Sequence, residues 1–180
     1  MYAHPLEFPY LTGSAAYPQP DCSVEGGLLA KLSWMYPNEP IDIHEVLHPL
    51  SADGSVPFLN GWQWIHVPGH SPGQVAFWRP SDRLLLPADA FITVKQDSFY
   101  RVLLQKEEIC GPPVYLTTDW QSAYDSAKRL AALQPETVIA GHGSSMHGLE
   151  MQKELQHLID HWQEEAVPEH GKWVKSRKDD

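Results

Sequence analysis

The stretch Trp64-Ile65-His66-Val67-Pro68-Gly69-His70-Ser71-Pro72-Gly73-Gln74-Val75-Ala76-Phe77-Trp78, followed after a turn by Arg83-Leu84-Leu85-Leu86-Pro87-Ala88-Asp89-Ala90, decides the reading of this chain. A strand-like run ends in a Pro-Gly-His-Ser-Pro-Gly loop, a second strand leaves that loop, and a third ends in an aspartate. A histidine held between two Pro/Gly pairs sits on a loop with little backbone freedom, and an aspartate closing an apolar run lies at a sheet edge, where loops carry chemistry. Farther on, Val138-Ile139-Ala140-Gly141-His142-Gly143 repeats the design of an apolar run followed by a glycine-flanked histidine. Two histidines and a carboxylate at strand-to-loop junctions suit a hydrolytic zinc site, which takes nitrogen and oxygen ligands.

These pieces together resemble the metallo-β-lactamase superfamily of metal-dependent hydrolases. The resemblance rests on Pro68-Gly69-His70-Ser71-Pro72-Gly73, Ala88-Asp89-Ala90 and Ala140-Gly141-His142-Gly143, in the family's order and at ordinary separations for it. It runs from about Tyr2 to about Leu158 and covers the C-terminal part of the family's domain. It implies an α/β fold, an α/β-β/α sandwich truncated at its N-terminus. It also implies that His70 ligates a first metal, His142 a second, and Asp89 bridges both and is the catalytic carboxylate. Up to two zinc ions would lower the pKa of a shared water to about 7, so that hydroxide is available to attack a carbonyl or phosphorus centre. Members of the superfamily act on thioesters, lactams, lactones and phosphodiesters. A thioester, lactone or other ester-like bond of a small molecule is the expected target here. In relatives a glycine more often precedes the aspartate; here Ala88 does, and it would be strained if the backbone there has positive φ.

The family's leading motif, His-x-His-x-Asp-His, occurs nowhere in the 180 residues. The chain therefore reads as one domain, residues 1–167, incomplete at its N-terminus, with a polar and disordered tail from Pro168 to Asp180. Three readings follow: a metallo-hydrolase whose N-terminal segment lies outside this sequence, a non-catalytic remnant that acts as an interaction module, or a homo-oligomer whose second chain completes the site.

At 180 residues the chain can bury one real core. A net charge of −10 argues against a nucleic-acid backbone or an anionic membrane as partner, since both want clustered Lys and Arg. The start lacks a signal peptide, and no apolar run approaches a membrane span. Cys22 and Cys110 form no Cys-x-x-Cys pair; they read as thiols in a reducing cytoplasm, with a single disulfide as the alternative.

Elsewhere the patterning is local. Thr12 to Pro40 is rich in Pro, Gly, Ser and Tyr and reads as a lid or wall, with a short helix within Gly27 to Met35 that includes Trp34. Ile41 to Leu47 alternates apolar and polar like a half-buried strand, with His44 on its polar face and His48 in a turn. His66 reads as a strand histidine facing solvent or a neighbour. Ser98 to Glu107 is expected to be helical. Thr118 and Gln121 fit a capping box for a helix with Trp120, Ala123, Tyr124, Ala127, Leu130 and Ala131 on its core face. A last helix from about Leu149 to Glu165 buries Met151, Leu155, Leu158 and Trp162 and exposes His157 and His161.

Overall fold

The structure is a computed structural model that describes residues 1–24, 40–94 and 107–174. The short helix expected within Gly27 to Met35 lies outside the described residues, as does nearly all of the helix expected over Ser98 to Glu107. Glu107 itself opens a strand.

Two small strand pairs flank a larger sheet. They are β1 (Tyr2–Ala3) parallel to β2 (His48–Pro49), and β6 (Ile92–Val94) antiparallel to β7 (Glu107–Cys110). The larger sheet is mixed and carries the molecule. Its five strands, in spatial order, are β3 (Gln63–His66), β4 (Val75–Arg79), β5 (Leu84–Ala88), β8 (Thr137–Ala140) and β9 (Met146–His147). The run β3-β4-β5 is an antiparallel meander, β8 lies parallel to β5, and β9 returns antiparallel.

Period-two patterning produces the sheet's buried face. On β4, Ala76 and Trp78 point into the core, and on β5 Leu85 and Pro87 do, while their neighbours are only partly buried. Two amphipathic helices meet this face: α2 (Trp120–Ala131) with Ala123, Ala127 and Leu130, and α3 (Gly148–Asp160) with Met151, Leu155 and Leu158. Each fully buried Leu or Val contributes about 1.5–3 kcal/mol, so this interface dominates the stability. The short helices α1 (Phe8–Leu11) and α4 (Trp162–Glu165) lie outside it in sequence. Among the described residues no helix is long and apolar enough to cross a membrane.

Four local expectations are corrected. Ile41 to Leu47 is not a strand: Asp42 accepts hydrogen bonds from the His44 amide (3.1 Å) and ring Nδ1 (2.7 Å), and a 3-10 turn forms over His44–Val46. A side chain bonded to its own backbone competes with a sheet ladder, and here it wins. His48 lies in β2 rather than in a turn, paired with Tyr2. Helix α2 is capped by Asp119, which accepts from the Ser122 amide (3.0 Å), and not by Thr118 with Gln121. Thr118 N–H instead donates to Gly69 O (3.2 Å), so the helix start serves the His70 loop. The final helix breaks at His161, whose φ of −117° separates α3 from α4, although Met151, Leu155, Leu158 and Trp162 are all buried as the spacing requires.

Beyond Pro168, Trp173 and Val174 pack against the core, and the Lys172 amide donates to buried Asp21.

Candidate metal centre

Strand direction assembles the site. Because β3 is antiparallel to β4 and β4 to β5, β3 and β5 run the same way, and β8 is parallel to β5. The carboxyl ends of β3, β5 and β8 therefore share one sheet edge, the edge at which open α/β sheets place ligands. His70 follows β3, Asp89 follows β5 and His142 follows β8. The structure brings all three together. His70 Nε2 stands 3.7 Å from Asp89 Oδ2, and His142 Nε2 stands 3.6 Å from Asp89 Oδ1.

Asp89 is aimed by a bulge. The register of β5 on β8 shifts between Leu85↔Val138 and Ala88↔Ala140, and Ala88 has φ +53°. An extra residue in one strand re-aims the next side chain. The strain expected of an alanine with positive φ is present here. Ala88→Gly should raise the stability of the chain by up to about 1 kcal/mol, since the left-handed conformation costs an L-residue about that much. A thermal melt checks this; a lower midpoint in the glycine variant would contradict it.

Asp89 Oδ1 is buried and has no hydrogen-bond partner. Gly141 packs directly on that oxygen, so a Cβ there would collide with it. An orphaned carboxylate oxygen is costly unless something positive completes it. Two ligand atoms about 2.1 Å from one tetrahedral ion stand about 3.4 Å apart, close to both His–Asp separations here. Each oxygen of Asp89 thus pairs with one imidazole nitrogen at ligand-to-ligand distance, as a carboxylate bridging two ions would. Among the described residues no three His, Cys, Asp or Glu side chains converge on one point.

Electrostatics agree with neutral imidazole beside carboxylate at His70. Burial holds its pKa below the ordinary value, against the raising effect of the Asp89 charge. For His142, more exposed, Asp89 outweighs burial and raises the pKa. At 3.6 Å we treat that contact as charge attraction rather than a hydrogen bond. Burial would lift the Asp89 carboxyl, but His142 and His70 outweigh it and hold it below the usual range.

Three residues that carried no local signal support the site. Thr117, fully buried, donates its hydroxyl hydrogen to Pro113 O (2.9 Å), so its oxygen is left to accept from His70 Nδ1–H (3.3 Å). That bond fixes the tautomer with a lone pair on Nε2, toward Asp89. Thr93, also fully buried, shares its one hydroxyl hydrogen between His142 O (2.9 Å) and Ser144 O (2.7 Å), and its amide donates to His142 O (3.0 Å). Gly143, at φ +95°, lets the loop press on Thr93. Glu7 is buried and binds the His70 loop from the other side: Oε1 accepts from Gly73 N–H (2.5 Å) and Ser71 Oγ–H (2.8 Å), and Oε2 accepts from Tyr17 O–H. Thr117, Thr93 and Glu7 each lie more than 40 residues in sequence from the site loop they hold, beyond any periodic signal.

The remaining histidines stay apart from the three. His66 stacks on His4 (4.1 Å, 6°) and donates Nε2–H to Pro72 O (2.8 Å), a neighbour-facing role. His44 is exposed beside Asp42, and His157 pairs with Glu165 on the α3–α4 surface. Two clefts of about 760 and 660 Å³ are lined by other residues and include none of the three.

Comparison with known proteins places this geometry. The family model described as the metallo-beta-lactamase superfamily matches residues 2–142. A probable metallo-hydrolase of Bacillus subtilis (strain 168), YflN, is 44% identical over 160 residues, covering 89% of this chain and 61% of the relative. A second from the same organism, the probable metallo-hydrolase YybB, is 26% identical over 148 residues, covering 81% of this chain and 54% of the relative. The chain thus spans less than two thirds of the length of these relatives. The fold is like that of a metallo-beta-lactamase family protein of Thermus thermophilus, at a TM-score of 0.51 and 20% identity over 91% of this chain and 52% of that one. With a family model matched across most of its length and the two glycine-flanked histidines and the aspartate gathered at one sheet edge, this chain belongs to the metallo-beta-lactamase superfamily.

Proposed function

We propose that this chain carries the carboxylate-bridged part of a dinuclear zinc centre that hydrolyses a thioester, lactone or other ester-like bond of a small molecule. The observation that carries the reading is Asp89, whose two oxygens each face a different imidazole nitrogen while one of them is buried without a hydrogen-bond partner. Imidazole and carboxylate suit zinc, and iron is the nearest competitor for the same donors. When bound, such a metal pair supplies a nucleophile at neutral pH and a Lewis acid for the scissile carbonyl.

The chain's own residues do the rest. Thr117 holds the His70 proton on Nδ1 and so keeps Nε2 free to ligate. Thr93 fixes the backbone on both sides of Gly143, which presents His142. The bulge at Ala88 turns Asp89 between the two imidazoles. A cytoplasmic setting suits this chemistry and is part of the proposal.

A second reading has one observation in its favour. With no three such side chains converging among the described residues, these residues alone fall short of the three protein ligands of an ordinary catalytic zinc. On that reading the chain is an interaction module with the hydrolase fold.

The deciding experiment is the metal content of the purified chain after mild chelation and zinc reloading, beside a His70→Ala/His142→Ala double variant. Zinc retained by the chain and lost by the double variant supports the metal centre, and a panel of thioesters and lactones then tests the reaction. Zinc no higher than in the double variant sinks the metal-centre reading for this chain and favours the interaction module.

A further inference from the structure

We propose that Glu7 is a positioning residue for His70, holding the Pro68–Gly73 loop so that the imidazole faces Asp89. The inference rests on the reading of His70 as a metal ligand, and it concerns a residue outside all three of the pieces that carry His70, Asp89 and His142.

The loop is fastened along two sides. Helix α2 takes the first: Thr118 N–H and Asp119 N–H donate to Gly69 O (3.2 and 3.1 Å), and Ser126 Oγ–H donates to Pro68 O (2.8 Å). These bonds end before His70. The residues just after it, Ser71 and Gly73, are both fastened by one carboxylate oxygen, Glu7 Oε1. Gly73 lies so close that a Cβ would stand 2.7 Å from Glu7 Cγ. His70 is thus the pivot between an α2-bound half and a half held by Glu7 and by the His66 bond to Pro72 O. Thr117 sets its tautomer, but a 3.3 Å hydrogen bond does not by itself set the ring's place along the sheet edge.

Glu7 is also held firmly. It closes a 3-10 turn over Pro5–Glu7, its amide donates to His4 O (2.9 Å), and its second oxygen accepts the Tyr17 hydroxyl. Burial, and then that hydrogen bond, push the Tyr17 phenol's pKa up, so Tyr17 remains a donor across the working pH range. Tyr17 stacks on Tyr10 of α1 (4.1 Å, 16°). The carboxylate is therefore fixed by its own 3-10 turn and by Tyr17, and it passes that rigidity to the loop. Its negative charge also acts on His70 in the raising direction, the smallest of the influences there. A charge-assisted hydrogen bond is about twice as strong as a neutral one, which suits a carboxylate to this task.

The test uses the full chain and its Glu7→Ala and Glu7→Gln variants. The first readout is the His70 tautomer in the metal-free protein, from long-range nitrogen–proton correlation of the ring. The second is the dissociation constant for zinc ion alone, by competition with a chromophoric chelator. Glu7→Ala should let the ring drift from Thr117, convert the single Nδ1–H tautomer into a mixture and weaken zinc binding severalfold, less than the about 10–100-fold usual for a direct outer partner of a ligand. Glu7→Gln keeps an acceptor oxygen and should restore the tautomer and most of the affinity. A purely structural anchor would lower the melting temperature and leave both readouts as they are; that result in Glu7→Ala overturns the proposal. If Glu7→Ala does not fold, Ser71→Ala and Tyr17→Phe each remove one bond, and an unchanged tautomer in both overturns it equally. If the parent chain binds no zinc, the metal reading fails, and the tautomer comparison decides Glu7 by itself.

Discussion

Gly69→Ala is expected to destabilise the chain by about 3 kcal/mol or more. Gly69 has φ +134°, a region that is essentially glycine-only and costs other residues about 1–3 kcal/mol. Its missing Cβ faces the backbone of α2: an added carbon would lie 2.5 Å from both Ala123 N and Cα. Helix backbone cannot rotate away as a side chain can, so the loop must lift, and the hydrogen bonds from Thr118, Asp119 and Ser126 would stretch with it. Overpacking of this kind adds about 1–3 kcal/mol. At about 2–4 °C per kcal/mol for a chain of this size, the melting midpoint should fall by about 10 °C. Gly61→Ala is the control: it shares a positive φ of +82° but has nothing within 4 Å of its Cβ. A Gly69→Ala loss no greater than that of the control would show that the contact with α2 contributes nothing.

The second large effect is at Asp89. Asp89→Ala should remove all of the bound metal, whereas His70→Ala or His142→Ala alone should leave part of it. The pattern follows from connectivity: each histidine faces one oxygen of Asp89, and Asp89 faces both. Losing a shared anionic ligand should cost more than the about 10–100-fold that an outer partner does. Metal per chain, measured under a fixed free zinc concentration across the three variants, checks the order. Equal losses in all three would mean that the side chains act as one ligand set around one ion, and full retention in Asp89→Ala would remove the bridge from the proposal.

Much of this was legible in the chain because it is written locally. Proline and glycine on both sides of His70 and glycine on both sides of His142 mark rigid loops at strand ends, whatever the rest of the molecule does. The apolar stripes of α2 and α3 are set by 3.6-residue spacing, and the helices bury most of the side chains that this spacing selects, with Tyr124 and Ala131 only partly buried. Reading failed where a nearby side chain competed with the pattern. Asp42 takes the His44 amide and turns an alternating segment into a 3-10 turn. Asp119 takes the cap that Thr118 suits by residue type, its carboxylate accepting the Ser122 amide. Reading was also blind to Glu7, Thr93 and Thr117, whose value to the site lies in partners far away in the chain.

The sequence by itself determined the family, the strand-and-helix grammar and the three side chains at strand ends. Only the tertiary structure decided that those ends meet, since the separations among His70, Asp89 and His142 carry no information about direction. The common direction of β3, β5 and β8 puts three carboxyl ends on one edge, and the bulge at Ala88 turns one carboxylate between two imidazoles. Local preference is set by neighbours in the chain, whereas the direction of a strand and the far side of a loop are set by whatever the core packs against them.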